Sequence, residues 1–270
     1  MATPAHEEPR GILHRKAGAH NYRLSRFIPS PDLAPFIEHY WGVAWDLRGK
    51  PPQQQQVLSH PSVHLVFEQD KSAVFGIPTG KFTRQLAGQG QVFGIKFRPG
   101  GFYPFVKRPV AAFTGKVIPA GQVFGPDCHS LETEILAQPD DSLMVGPVED
   151  FLRKQGPGPD PFLDEITRIF ELVRTARGIV MVEDLAGRLD LTPRTLQRLF
   201  NQYVGVSPKW VIQRYRLQEA AEQLAANPVA NWAGLAQDLG YFDQAHFIKD
   251  FKLLVGSTPA EYARQNEPTS

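Results

Sequence analysis

The chain has 270 residues, 42% of them apolar and 21% charged, with a formal net charge of +1. A prior of roughly 100–200 residues per domain points to about two domains of ordinary globular make-up and excludes a disordered chain. Its one cysteine, Cys128, excludes an internal disulfide and a thiolate metal cluster and suits a reducing compartment. No apolar run approaches the ~18 residues of a membrane span, and residues 1–24 hold no apolar signal core, so a soluble cytoplasmic protein with no membrane partner is expected.

From about Phe27 to Pro119 the sequence is rich in Val, Phe, Gly and Pro and broken into short runs. Val63–Gln69, Ser72–Ile77 and Gln91–Phe97 read as strands separated by Gly/Pro turns. Residues 30–41 read as a helix, with Ser30 as cap and Pro31 at the first helical position. Residues 1–125 are therefore expected to form a β-rich regulatory domain. Its aromatics Tyr40, Trp41, Trp45, Phe67, Phe75, Phe93 and Phe97 either line an effector pocket or pack a small β core. His60, His64 and Glu68 share a face if they lie on one strand. Their spacing matches no ligand motif, so neither a metal nor a cofactor is expected.

From about Asp127 the texture turns helical, with amphipathic runs at 130–138 and 146–155. The segment Gly156–Pro161 punctuates the chain. A longer helix follows, carrying Phe162, Ile166, Ile169, Phe170 and Val173 on one stripe, with Gly178 as its stop. Residues 126–178 form a helical connector and a candidate dimer interface.

The last ninety residues repeat themselves. Leu185, Ala186 and Leu189 recur as Leu235, Ala236 and Leu239, an offset of 50. Phe200, Gly205, Ser207 and Pro208 recur as Phe251, Gly256, Thr258 and Pro259, an offset of 51. In the first copy, Thr192 offers a cap and Pro193 a first helical residue, Leu196, Leu199, Phe200 and Tyr203 form a buried stripe, and Gly205 ends the helix. In the second, Asp243 caps a helix that buries Phe247, Phe251 and Leu254. The outward faces carry Arg194, Thr195, Gln197, Arg198 and Asn201, then Gln244, Ala245, His246, Lys249 and Lys252. Each copy is a helix-turn-helix unit, whose second helix enters the DNA major groove. A long helix starting at Ser207–Pro208 and stopped by Asn227–Pro228 joins them, so one chain could read grooves about 34 Å apart. Residues 182–264 hold nine Lys/Arg and nine Asp/Glu. A positive stripe must therefore come from arrangement, with Arg214 and Arg216 placed beside Arg194, Arg198, Lys249 and Lys252.

On the motifs "LAGRLDLTPRTLQRLFNQYVGVSP" and "LAQDLGYFDQAHFIKDFKLLVGSTPAEYAR", residues 179–264 resemble the DNA-binding domain of the AraC/XylS family of bacterial transcriptional regulators. Through "LAPFIEHYWGV" and "VFGIKFRPGGF", Phe27–Pro119 resembles an N-terminal domain of unassigned function found on some of these regulators. The resemblance implies promoter-specific binding to double-stranded DNA by residues 179–266, contact with RNA polymerase, and a small effector held by the N-terminal domain. Lys249 stands where many members have Arg, and Ala245 offers a base only a methyl group. The fold class expected is α+β: a β-rich domain, a helical connector and an all-α domain with two helix-turn-helix units.

Two rival readings remain open at this stage. One is an effector-independent architectural DNA-binding protein. The other is a DNA-targeted repair or metabolic enzyme. The sequence has no G-x-S-x-G elbow, P-loop or G-x-G-x-x-G. Cys128 beside His129 suggests a nucleophile, but the alkyl-transfer repair proteins need a multi-cysteine zinc site, so no catalytic residue is assigned.

Overall fold

A computed structural model describes residues 22–57, 60–78, 80, 82–226, 232–241 and 243–265. The N-terminal part contains β1 (Tyr22–Phe27), β2 (Ile37–Leu47), β3 (Gln53–Val57), β4 (His64–Phe67), β5 (Ala73–Phe75), β6 (Phe82–Leu86), β7 (Gly88–Phe97) and β8 (Val117–Pro119). Six strands form one antiparallel sheet in the order β1-β2-β7-β4-β5-β8, and β3 pairs with β6. Short helices α1 (Tyr103–Val106) and α2 (Ala120–Phe124) close this part.

The three expected strands are present as β4, β5 and β7. The expected helix at 30–41 is not. Ser30 starts a turn, its carbonyl accepting from Leu33 N and Ala34 N, and Ile37 opens an eleven-residue strand. The local start signal loses because β2 sits between β1 and β7 and pairs along both edges. A helix there would leave both neighbours' backbone groups unpaired.

Period-2 alternation gives the sheet two chemically distinct faces. One presents Phe27, Tyr40, Leu65, Phe67, Phe93 and Phe97 to the main core. Helices α3 (Asp127–Leu136) and α4 (Asp141–Lys154) belong to this side. Two buried carboxylates pin α4: Asp141 accepts from Arg23 Nη2 at 2.9 Å and from the Ser25 hydroxyl. Glu149 accepts from Ser30 N at 2.8 Å, from the Tyr40 hydroxyl at 3.3 Å and from Arg153. The other face carries Arg26, His39, Trp41, Val43, Trp45, His64 and Lys96, part of it packed around Leu47, Val66, Leu86 and Val92.

The remaining elements are α5 (Leu163–Thr175), α6 (Val182–Arg188), α7 (Pro193–Leu199), α8 (Pro208–Ala226), α9 (Trp232–Asp238), α10 (Gln244–Val255) and α11 (Pro259–Gln265). Gly178 does not stop α5, which ends at Thr175. Arg216 supplies that end, donating to the carbonyls of Val173 and Ala176. The expected stop of α8 at Asn227–Pro228 lies outside the described residues. One apolar core runs from Phe27 to Ile212, and a separate cluster spans Leu217 to Val255.

Candidate nucleic-acid interface

The first helix-turn-helix unit is α6 and α7. At its turn Asp190 adopts a left-handed φ of 54°, and Leu191 N bonds back to Ala186 O at 3.0 Å. Thr192 then caps α7, its Oγ1 accepting from Thr195 N at 3.1 Å, with Pro193 at the first helical position. Beyond Leu199 the chain widens into a π-helical segment, Phe200–Val204, rather than continuing as regular α-helix to Tyr203. Leu196 and Phe200 are fully buried and Tyr203 nearly so. Gly205 ends the segment at φ 96°, and a Cβ there would meet Thr114 and Val110 at 3.0 Å.

The second unit, α9 and α10, repeats the same devices. Gly240 takes φ 76°, and Tyr241 N bonds Ala236 O at 2.9 Å. Asp243 Oδ1 accepts from His246 N at 2.7 Å, and Gly256 at φ 93° ends α10. Phe247 and Phe251 are fully buried; Val255 completes the stripe, with Leu254 half-buried. The offset changes between Leu191/Tyr241 and the caps Thr192/Asp243, so the second copy has one more residue before its second helix.

Most of the expected reading residues point outward. Arg194, Gln197 and Arg198 on α7, and Gln244, Lys249 and Lys252 on α10, are exposed. None of the six has a side-chain ion pair with a described residue. Thr195 is half-buried and its hydroxyl bonds that of Thr192 at 2.8 Å, so part of its capacity serves the cap. His246 is exposed, but its Nε2 lies 3.3 Å from Asp250 Oδ2 and its ring stands edge-on to Tyr241.

Arg214 and Arg216 must be corrected. Both are buried, at 4% and 2% exposure, so neither lies on an accessible positive stripe. Arg214 Nη1 donates to Gln218 Oε1, and burial lowers its pKa to about 10. Arg216 pairs with Glu219 while holding the end of α5. Two apart on α8, they leave the helix on opposite sides, Arg216 towards α5 and Arg214 towards Lys96 and the cavity by Asp250, and both sides are covered, which a charge count cannot reveal.

The expected effector aromatics divide between the two faces. Tyr40, Phe67, Phe93 and Phe97 are fully buried in the main core, where they fill space and cannot line an accessible pocket. Trp41 and Trp45 lie on the opposite face: Trp41 is half-buried and Trp45 is 9% exposed. Phe75 packs partly buried on that face too. Glu68 turns to Arg84 rather than joining His60 and His64, and no metal-binding group occurs among the described residues. Cys128 is buried, and burial raises its thiol to about 11, the wrong direction for a nucleophile.

Contacts invisible to the sequence tie the first unit to the β-rich part. Thr114 Oγ1 donates to Gly205 O at 2.6 Å, Gln202 Nε2 donates to the Tyr103 hydroxyl at 2.8 Å, and the Tyr103 and Tyr203 rings lie 4.4 Å apart. Phe170 of α5 stacks on Phe200 at 6.0 Å.

Residues 185–265 match a family described as helix-turn-helix domain, and residues 25–119 match a domain of unknown function (DUF6597). An uncharacterized HTH-type transcriptional regulator of Haemophilus influenzae is 32% identical over 83 residues, 31% of this chain and 28% of that protein. The regulatory protein PocR of Salmonella typhimurium is 30% identical over 86 residues, 31% of this chain and 27% of that protein. The chain thus spans less than a third of the length of these curated relatives. A crystal structure of a probable AraC family transcriptional regulator from Rhodopseudomonas palustris CGA009 aligns over 39% of this chain and 99% of its own, at 23% identity and a TM-score of 0.35.

Proposed function

We propose, from a chain that joins a β-rich domain of unknown function to a helix-turn-helix domain of the AraC type, that the protein is a sequence-specific transcriptional regulator. The observation that carries this reading is the doubled unit itself: two capped helices with polar outward faces, α10 ended by the left-handed Gly256 and α7 running into the π-helical segment that the left-handed Gly205 ends. Placed in successive major grooves, the outward faces of these helices would meet base edges and phosphates. Gln197 suits adenine and Arg198 suits guanine, while Arg194 and Lys252 suit phosphate. The matched relatives are named as an HTH-type transcriptional regulator and a regulatory protein, which supports the reading.

Control by a small effector in residues 1–125 is the finer part of the proposal. Such an effector acts on DNA affinity only by favouring one arrangement of sheet and reader over another. RNA polymerase at the promoter, and a second copy of the chain through residues 126–178, are partners that this reading brings with it. Leu143 in α4 and Phe162 before α5, 44% and 47% exposed, are apolar side chains that support the latter.

The test is a binding footprint followed by point variants. Gln197→Ala and Arg198→Ala are each expected to cost about 1–3 kcal/mol at the cognate site and to relax preference at one base pair. Equal losses on cognate and random DNA would remove either residue from base reading.

A further inference from the structure

The face of the sheet turned away from the main core carries chemistry that DNA binding does not use. Strand pairing places His39 of β2 and His64 of β4 on either side of Lys96 of β7, one row across three strands. The next row is Trp41, Gly94 and Val66, with Arg26 of β1 beside Trp41. Gly94 is bare because the Trp41 indole lies over it; a Cβ would meet Trp41 Cε2 at 2.1 Å. A basic row therefore borders a flat aromatic one.

The polar groups in that row are arranged as donors. Lys96 Nζ bonds Glu38 Oε1 at 2.8 Å, and His39 Nδ1 lies 3.6 Å from the same oxygen. Trp41 Nε1 donates to His64 Nδ1 at 3.3 Å, so the neutral His64 ring carries its hydrogen on Nε2. No described residue accepts that hydrogen. The His39 and Lys96 side chains each keep 13% exposure, so the row is reachable from solvent. Arg26 and, from α8, Arg214 are engaged with partners of their own, yet their charges reach Lys96. Burial, then the charge of Lys96, holds His64 at about 3; burial, then Lys96 and Arg26, holds His39 at about 2. A metal cation is disfavoured with Lys96 between the imidazoles. An anion is not.

We propose that this face binds the carboxylate of a small organic acid, its head on Lys96, His39 and His64 and its apolar body on Trp41 and Val43. The inference rests on the reading that the β-rich domain holds a small effector, and gives that effector a chemical class. A carboxylate fits better than inorganic phosphate, which would bring a second charge into a partly buried site and leave the Trp41 row uncovered. The site also has a route to the reader. Arg214 lines, with Gly80, Trp210 and Asp250, a cavity of about 130 Å³ between α8, α10 and the loop before β6. A negative charge near Lys96 acts on Arg214 too, in the helix that joins the two DNA-reading units.

The experiment titrates the full chain with benzoate, octanoate, inorganic phosphate and benzyl alcohol, following tryptophan fluorescence and heat, with Trp41→Phe to assign the signal. Both carboxylates are expected to bind; phosphate and benzyl alcohol are not. Lys96→Gln should weaken benzoate at least about tenfold, since a hydrogen bond to a charged group is worth that much. Because that change leaves Glu38 without its cation, the charge-balanced pair Glu38→Gln/Lys96→Gln should show the same loss with a native melting curve. Lys71→Gln, an exposed lysine in the β4–β5 turn, should change nothing. Failure of both carboxylates to bind, equal binding of phosphate or benzyl alcohol, or benzoate affinity untouched in both Lys96 variants would overturn the site. Carboxylate binding that leaves operator affinity unchanged would keep the site and remove effector control.

Discussion

Phe200 and Phe251 hold the same place in the two helix-turn-helix units, and both are fully buried, but in different cores. Phe200 stacks on Phe170 within the apolar body that begins at Phe27 and includes the sheet. Phe251 packs among Phe247, Tyr262 and the residues of α8 and α9, in a cluster that is separate, among the described residues, from the core that holds the sheet. A duplicated sequence has therefore produced two differently supported helix-turn-helix units. The first is built onto the β-rich part through Thr114, Val110 and Tyr103. The second hangs on α8 and closes on itself with α11.

That contrast is breakable. The largest effect expected is from Phe251→Ala, which should cost about 3–5 kcal/mol. Its signature is local: hydrogen exchange should accelerate in α9, α10 and α11 while sheet amides stay protected. Uniform acceleration would mean that the two cores unfold as one.

Acid should act on the opposite half. His39, His60 and His64 all titrate below the free value of about 6.5, chiefly through burial and then through Lys96, with Arg26 and Arg214 adding to it and Glu38 as the facing carboxylate. The unfolded chain binds their protons first, so stability is expected to fall as pH drops from about 6.5 towards about 3. Hydrogen exchange against pH, read separately for sheet amides and for α9–α11, should show the sheet-bearing core failing before the second unit. Loss of the second unit first would contradict the assignment.

The two readers can next be compared on DNA. If both are engaged, Arg198→Ala and Lys249→Ala should each weaken cognate binding, the arginine by the full 1–3 kcal/mol range or about that, and the lysine by less because it acts as a point charge. An affinity unmoved by any α10 variant would leave the first unit as the sole reader. The smallest effects belong to the caps. Thr192→Ala and Asp243→Ala should each cost about 1 kcal/mol, measured by denaturant midpoint, since both lose one bond to a helix N-terminus. The Thr192 loss should be spread through the larger core, and the Asp243 loss confined to the second unit.

Arg214 and Arg216 illustrate where sequence reasoning ran out. Both were expected outside, as part of a positive stripe; both are inside. A long helix with neighbours on several sides offers no clean polar face, so its charged residues cannot be sorted by periodicity alone. The strand β2 was missed for a related reason. The residues before it, Ser30 and Pro31, carry a good helix start, and only the pairing of both edges of β2 outweighs that signal. The edge strands β1, β3 and β6 contain too little apolar alternation to be read locally. The exposure of Arg194, Gln197, Arg198, Gln244 and Lys249 was legible because they are defined by what they are not, namely members of the buried stripes.

What the amino-acid sequence determined by itself was therefore local and repeated: the caps Thr192 and Asp243, the helix ends Gly205 and Gly256, the buried stripes, and hence the doubled unit with its outward faces. These follow from backbone geometry and 3.6-residue periodicity, which act over a few residues. Only the tertiary structure decided which aromatics fill the core and which lie on the other face, that Arg216 finishes α5, and that His39, Lys96 and His64 form one row. Those choices depend on strand order and on contacts across tens of residues. No local pattern carries that information, because the sheet's register becomes definite only when β2, β7 and β4 have paired.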